Sequence, residues 1–90
     1  MNIKRGQIYL IDFEPVKESE QGKVRPALII QNDIGNKYSN VTIVIPITSQ
    51  VSSKHYPINV ILDPEEGGGL TKMSEILCNQ VRAVSKSRIK

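Results

Sequence analysis

The 90-residue sequence contains only one cysteine, Cys78, and one histidine, His55. A single cysteine excludes an intramolecular disulfide framework, and the pair cannot supply the four ligands of a zinc site. Cys78 ends an apolar run and is expected in the core, whereas His55 lies in a polar loop and is expected to be solvated. Because a domain of this size has a thin core, self-association is a plausible source of additional stability.

The sequence also lacks long hydrophobic runs. No run approaches the roughly 18 apolar residues that a membrane helix needs. The first apolar stretch, Ile8–Ile11, is short and is followed at once by Asp12, unlike a signal peptide. A lone thiol fits a reducing compartment. We therefore expect one cytoplasmic domain over residues 1–90, without a linker or a repeat.

Several catalytic and cofactor signatures are missing as well. There is no Ser-His-Asp pattern, no dinucleotide fingerprint and no cofactor motif. The three glycines of "DPEEGGG" are not followed by the Lys-Ser/Thr of a P-loop, so Asp63–Gly69 is predicted to be a glycine-rich turn. The net charge of +3 and the basic stretch Arg82–Lys90 are compatible with nucleic-acid binding, but a solvated basic tail explains them equally well.

What the chain does contain is a series of short β-branched runs bounded by Gly, Pro, Asn and Ser, which is typical of strands. The predicted strands are Gln7–Phe13, Pro26–Asn32, Val41–Thr48, Pro57–Asp63 and Leu70–Cys78, the last of which could extend into Gln80–Val84. Five or six strands without helical spacers predict an all-β barrel or curled sheet. The polar segment "DIGNKYSN", residues 33–40, is predicted to be a loop.

Two local signals accompany these strands. Pro46 interrupts an otherwise strong strand, which predicts an edge, a bulge or a strand end near Thr48 and Ser49. Ser85 is a candidate N-cap for a helix beginning in "SKSRIK", and the chain stops before that helix could be stable on its own.

Arg25 is the most informative polar residue. Pro26 disfavours the α region at position 25 and therefore predicts an extended backbone there. A guanidinium presents planar donors that match phosphate oxygens in pairs. The alternative is an exposed strand-end arginine paired with Glu18 or Glu20, which residue types alone favour.

Four ordered blocks, "RGQIYLIDFEP", "SEQGKVRPALIIQND", "VIPITSQ" and "CNQVRAV", resemble the MazF/PemK family of toxin endoribonucleases, to which the Kid toxin also belongs. The resemblance runs from about Arg5 to Lys90. It implies a compact SH3-like β-barrel that forms a homodimer, with an RNA-binding groove at the subunit interface. It also implies sequence-specific cleavage of single-stranded RNA without a metal or other cofactor, and inhibition by a cognate antitoxin.

The resemblance assigns roles to individual positions. Arg25 matches the catalytic arginine, Thr48 a hydroxyl that bonds the same phosphate, and Glu20 an acidic residue proposed as the base in some members. Residues expected at or near the RNA are Ser19, Gln21, Ser49, Asn79, Gln80 and Arg82. No metal-binding residue is implied.

Two departures from the family pattern stand out. Asn79 replaces an acidic residue that is a candidate general base in some members, and an amide has no useful basicity. The family usually continues into a C-terminal helix, which is expected to be truncated or absent here. The competing interpretations are a non-catalytic SH3-like module that binds RNA or a peptide, and a purely structural interaction domain.

Overall fold

The computed structural model describes residues 2–13, 24–51, 57–66 and 69–90. Within these described ranges, six strands and one short helix follow each other: β1 (Ile8–Asp12), β2 (Val24–Ile29), α1 (Asp33–Tyr38), β3 (Val41–Thr48), β4 (Val60–Leu62), β5 (Ser74–Ile76) and β6 (Arg82–Ser85). Single 3-10 turns lie at Pro64–Glu66 and Lys86–Arg88. No helix in the described part of the chain is long and apolar enough to cross a membrane.

All strand pairs are antiparallel, and β3 is the central strand. One edge of β3 pairs with β2, which in turn pairs with β1. Along its other edge, β3 pairs first with β6, through Val41–Val44, and then with β5, through Ile47 and Thr48. The predicted β-rich fold is confirmed, although the sheet formed by the described residues does not close into a continuous barrel. A bridge between Ile11 and Ile89 joins β1 to the segment after β6.

The change of partner along β3 occurs at Pro46. The Pro46 carbonyl accepts a hydrogen bond from Leu77 N, at 3.0 Å, so this residue faces the edge of β3 that carries β5 and β6. In an antiparallel pair, the N–H and C=O of one residue point to the same neighbour. Pro46 therefore lies between the β3–β6 pairs and the β3–β5 pairs, opposite the turn that connects β5 to β6. No described strand residue there requires the N–H that proline lacks. This location explains why a proline is tolerated within a central strand.

The core consists of two apolar clusters on the two faces of the curled sheet. The first contains mainly side chains from β1, β2 and β3, together with Ile3, Val84 and Ile89. The second is built around Ile45, Ile47 and Ile76. Cys78 is half-buried against the second cluster, as its position after an apolar strand predicted.

The predicted loop at residues 33–40 is wrong, because this segment contains helix α1. Asn32 caps the helix by accepting a hydrogen bond from Gly35 N at 2.8 Å. Asn36 is buried and bonded to Gln31 and Thr42. These polar residues are typical of loops, but Asn32 caps the start of the helix and Asn36 bonds to β3. These tertiary contacts override the low helix propensity of the segment.

Ser85 forms the predicted N-cap, since its hydroxyl accepts a hydrogen bond from Ser87 N at 3.3 Å. The turn that it caps is the 3-10 turn at Lys86–Arg88. Lys86 then donates through Nζ to the carbonyls of Asn36 and Ser39. This short element therefore stabilises the C-terminal end of α1.

Candidate active site

A cleft of about 270 Å³ opens where β2 begins and β3 ends. We call it the Arg25–Thr48 cleft, and its lining residues are Val24, Arg25, Pro26, Ile47, Thr48, Ser49 and Gln50. Among the described residues that line the cleft, Arg25 is the charged one, and the hydroxyls of Thr48 and Ser49 lie on the same lining. The structure thus brings together three of the predicted site residues, from two strands that are separated in sequence.

The antiparallel pairing of β2 with β3 explains why Arg25 and Thr48 line the same cleft. Ala27 pairs with Pro46 across β2 and β3, so Arg25 and Thr48 lie two residues beyond that pair on their respective strands. Side chains two residues apart on a strand share a face, so Arg25 and Thr48 lie on the same face as Ala27 and Pro46, just beyond the end of the ladder. The extended backbone predicted for Arg25 is confirmed, because β2 begins at Val24.

The hydroxyl of Thr48 has a defined orientation. Its Oγ1 accepts a hydrogen bond from Gln50 N at 3.1 Å, which fixes the turn immediately after β3. A threonine hydroxyl can donate one hydrogen bond while accepting others. The O–H of Thr48 is therefore suited to donate to an oxygen atom of a ligand in the cleft.

A buried glutamate, not predicted from the sequence, lies opposite Thr48 on the neighbouring strand β5. Glu75 pairs with Thr48 across β3 and β5 and is only 2% exposed. Asn59 Nδ2 donates to Glu75 Oε2 at 2.9 Å, and Asn59 Oδ1 accepts from Cys78 N at 3.0 Å. The available signal was a glutamate directly before the apolar residues Ile76–Cys78 within the predicted strand Leu70–Cys78.

The other predicted residues of this region do not line the cleft within one chain. Asn79 and Gln80 form the exposed turn between β5 and β6, where Gln80 N donates to the Leu77 carbonyl at 2.9 Å. Arg82 stacks over the Phe13 ring, with its guanidinium carbon 5.0 Å from the ring centroid. Their predicted contact with RNA stays a prediction. Ser19, Glu20 and Gln21, together with His55, lie outside the described residues.

The basic segment after β6 is tied to the end of β1. Arg88 Nη1 donates to the Asp12 carbonyl at 3.3 Å, and Lys90 Nζ lies 3.8 Å from Asp12 Oδ2. Asp12 pairs with Val24, which lines the cleft. These cations therefore sit one strand away from Arg25.

Comparison with known proteins agrees with the resemblance read from the four sequence blocks. The family of PemK-like, MazF-like toxins of type II toxin–antitoxin systems matches residues 4–90, so the chain belongs to this family. It is 45% identical to endoribonuclease EndoA of Bacillus subtilis (strain 168) over 89 residues, which cover 99% of this chain and 76% of the relative.

Solved structures share the fold. The crystal structure of MazF from Deinococcus radiodurans matches 98% of this chain and 76% of its own, with a TM-score of 0.76 and 27% identity. A mycobacterial endoribonuclease in complex with its cognate antitoxin matches 98% of this chain and 70% of its own, with a TM-score of 0.68 and 18% identity. At that identity the second likeness shows the fold alone.

Proposed function

We propose that this chain is the toxin of a type II toxin–antitoxin module and cleaves single-stranded RNA, with messenger RNA as the main target. RNA carries its own nucleophile, the 2′-hydroxyl, so no metal-bound water is required. The 2′-oxygen attacks the adjacent phosphorus and the bond to the 5′-oxygen breaks. The products are a 2′,3′-cyclic phosphate and a 5′-hydroxyl. Family membership and 45% identity to an endoribonuclease support this activity.

The observation that carries the mechanism is the presence of Arg25 and Thr48 on one cleft. Charge accumulates on the non-bridging oxygens as the phosphorane forms, and donors that are already in place stabilise it. Arg25 supplies two parallel N–H donors, and Thr48 supplies an O–H on the opposite strand. Because an arginine does not lose its proton in proteins, Arg25 acts by charge stabilisation, with no step as a proton donor.

A proton must also leave the 2′-hydroxyl. We assign this role to Glu20, because the amide of Asn79 has no useful basicity. The proton returns to the 5′-oxygen as the leaving group departs. The cleavage is thereby balanced without an additional reactant.

The proposal includes a homodimer, a cognate antitoxin and a cytoplasmic location. Several apolar side chains are exposed in the described part of the chain, including Leu10, Val60, Met73 and Val81. Apolar surface of this kind is typical of protein contacts. A groove shared by two copies would also add Asn79, Gln80 and Arg82 to the surface that meets RNA.

The test is cleavage of a long single-stranded RNA in EDTA by the unmodified protein and by Arg25→Ala. We expect fragments that end in cyclic phosphate, with a rate roughly 10²–10³-fold lower in the variant. Arg5→Ala is the matched control, because the hydrogen bond from Arg5 to Asp33 is made by the backbone N–H and is kept in the variant. A DNA strand of the same sequence should survive, since it lacks the 2′-hydroxyl.

Three results would contradict the proposal. They are cleavage of the DNA strand, equal cleavage by Arg25→Ala, and cleavage that EDTA abolishes. RNA that is bound but left intact would support the non-catalytic RNA-binding module instead.

A further inference from the structure

A second pocket, of about 220 Å³, adjoins the Arg25–Thr48 cleft. Its lining residues are Pro26, Ser49, Leu70, Thr71, Lys72 and Ser74. Pro26 and Ser49 line both cavities, so the two cavities are adjacent.

The pairing of β3 with β5 explains why the segment before β5 forms one wall of the second pocket. Thr48 pairs with Glu75, and the chain that precedes β5 therefore runs past the end of β3 beside Ser49. Gly69 has a φ of +75°, a conformation that favours glycine, and it turns the chain into Leu70. Ser74 is buried and donates through Oγ to the Lys72 carbonyl at 3.0 Å. This bond fixes the backbone at Lys72.

The side chains that line the second pocket suit the binding of one nucleotide. Lys72 is an exposed cation, and Thr71 and Ser49 are exposed hydroxyls that can donate to phosphate or sugar oxygens. Pro26 and Leu70 offer partly buried apolar surface on which a base can pack. Among the described lining residues of the two cavities, the charged ones are Arg25 and Lys72, both cations that can attract a phosphate.

We propose that this second pocket is a subsite for the nucleotide next to the scissile phosphate, with Lys72 contacting the neighbouring phosphate. The inference rests on the proposed function, because it takes the Arg25–Thr48 cleft as the place of cleavage. The adjacency of the two cavities and the cations Arg25 and Lys72 on their walls favour a single RNA strand that leaves the cleft past Pro26 and Ser49. Lys72 then acts in binding and has no part in the chemical step.

The first test uses Lys72→Met in steady-state cleavage of RNA. We expect KM to rise roughly threefold to tenfold with kcat unchanged, because a phosphate contact made equally in the ground and transition states affects binding alone. The dependence of log KM on log salt should also weaken by about 0.7, the value for one phosphate contact with a single strand. Lys72→Arg should restore both quantities. Lys4→Met, on the surface beside α1, is the matched control and should leave both unchanged.

The second test locates the contact. Once the cut site has been mapped, the phosphates on either side of it are replaced singly by neutral methylphosphonates. We expect one replacement to raise KM for the unmodified protein and to have no further effect in Lys72→Met. Equal penalties in both proteins at each position would overturn the subsite.

A binding measurement separates the subsite from the proposed function. The probe is a short mixed-sequence RNA with 2′-O-methyl groups, which cannot undergo attack. Weaker binding by Lys72→Met, with the reduced salt dependence, supports the subsite even if the unmodified protein cuts no RNA. Unchanged binding and unchanged KM in Lys72→Met refute it, while cleavage that depends on Arg25 would still support the endoribonuclease.

Discussion

Pro26 and Ile47 would form the next hydrogen-bonded pair of the β2–β3 ladder, but the ladder ends one pair earlier, at Ala27 and Pro46. Ile30 N donates to the Ile43 carbonyl at 2.9 Å, so alternate residues of β2, including Pro26, direct their backbone polar groups towards β3. Proline has no N–H to donate to Ile47. The two strands can therefore separate at this point, and the Arg25–Thr48 cleft lies between them.

Replacement of this proline should narrow the cleft. Pro26→Ala restores an N–H opposite the Ile47 carbonyl and allows the ladder to continue by one pair. We expect kcat/KM for RNA cleavage to fall about tenfold, since a small misplacement of catalytic groups has effects of this size or larger. The measurement is RNA cleavage, combined with hydrogen exchange of the new amide at position 26.

Pro57→Ala is the matched control, because Pro57 is exposed in the turn before β4 and does not line the cleft. It should leave kcat/KM unchanged. Rapid exchange of the new amide at position 26, at the rate of an exposed backbone amide, would show that the missing N–H does not end the ladder.

The buried hydrogen bond between Asn59 and Glu75 should stabilise the fold where β5 pairs with Thr48. Asn59→Ala removes both the donor to Glu75 Oε2 and the acceptor for Cys78 N. Loss of a hydrogen bond costs about 0.5–1.5 kcal/mol between neutral groups and about 1.5–3 kcal/mol when one group is charged. We expect the free energy of unfolding to fall by about 2–4 kcal/mol in urea denaturation.

Glu75→Gln provides the comparison for this pair. The glutamine keeps an acceptor for Asn59 and removes the buried charge, so Asn59→Ala should cost less in the Glu75→Gln background than in the unmodified protein. An identical cost in both backgrounds would mean that the carboxylate charge has no part in the effect of Asn59.

Helix α1 allows two opposing effects to be weighed at Gly35. Glycine to alanine normally stabilises a helix interior by about 1 kcal/mol. Here a Cβ at position 35 would lie 2.8 Å from Gln31 Cδ. Gln31 Nε2 donates to Asn36 Oδ1 at 3.1 Å and to the Val41 carbonyl at 3.0 Å, so moving this side chain breaks two hydrogen bonds worth about 1–3 kcal/mol together. We therefore expect Gly35→Ala to destabilise the protein by about 1 kcal/mol in urea denaturation.

The same substitution in a Gln31→Ala background should have the opposite sign. The obstructing side chain is then absent, and the propensity gain of about 1 kcal/mol should appear alone. Destabilisation of similar size in both backgrounds would exclude the contact with Gln31 as its cause.

The sequence indicated the β-rich fold and the extended Arg25 because these depend on local patterns, namely short β-branched runs and a proline at position 26. The register of β3 with β5 explains the features that local sequence patterns could not predict. Glu75 lies beside Thr48 only because β5 pairs with β3, and Lys72 lines the second pocket only because the chain before β5 passes Ser49. Helix α1 was missed for a related reason, since the contacts of Asn36 with Gln31 and Thr42 offset the cost of its poor helix formers.

The start of α1 should show a measurable shift in a carboxyl pKa. Asp33 Oδ1 accepts a hydrogen bond of 2.7 Å from Arg5 N, and this bond is the main cause that holds the pKa of Asp33 below its usual value of 3.8. Partial desolvation opposes the shift, while the Asn36 side chain and the charges of Lys4 and Arg5 assist it. Because the folded-state pKa is the lower one, ionised Asp33 contributes stability above its unfolded pKa. That stability is lost as the pH falls through the folded-state pKa.

The measurement is an NMR titration of the Asp33 carboxyl, together with urea denaturation of the unmodified protein and Asp33→Asn from about pH 6 to about pH 2. The stability difference between the two should be constant above the unfolded pKa and should diminish below it. Arg5→Ala is the control, because it removes the side-chain charge but keeps the backbone N–H that causes most of the shift. A pKa of Asp33 that returns to its usual value in Arg5→Ala would show that the arginine charge, and not the backbone hydrogen bond, lowers it.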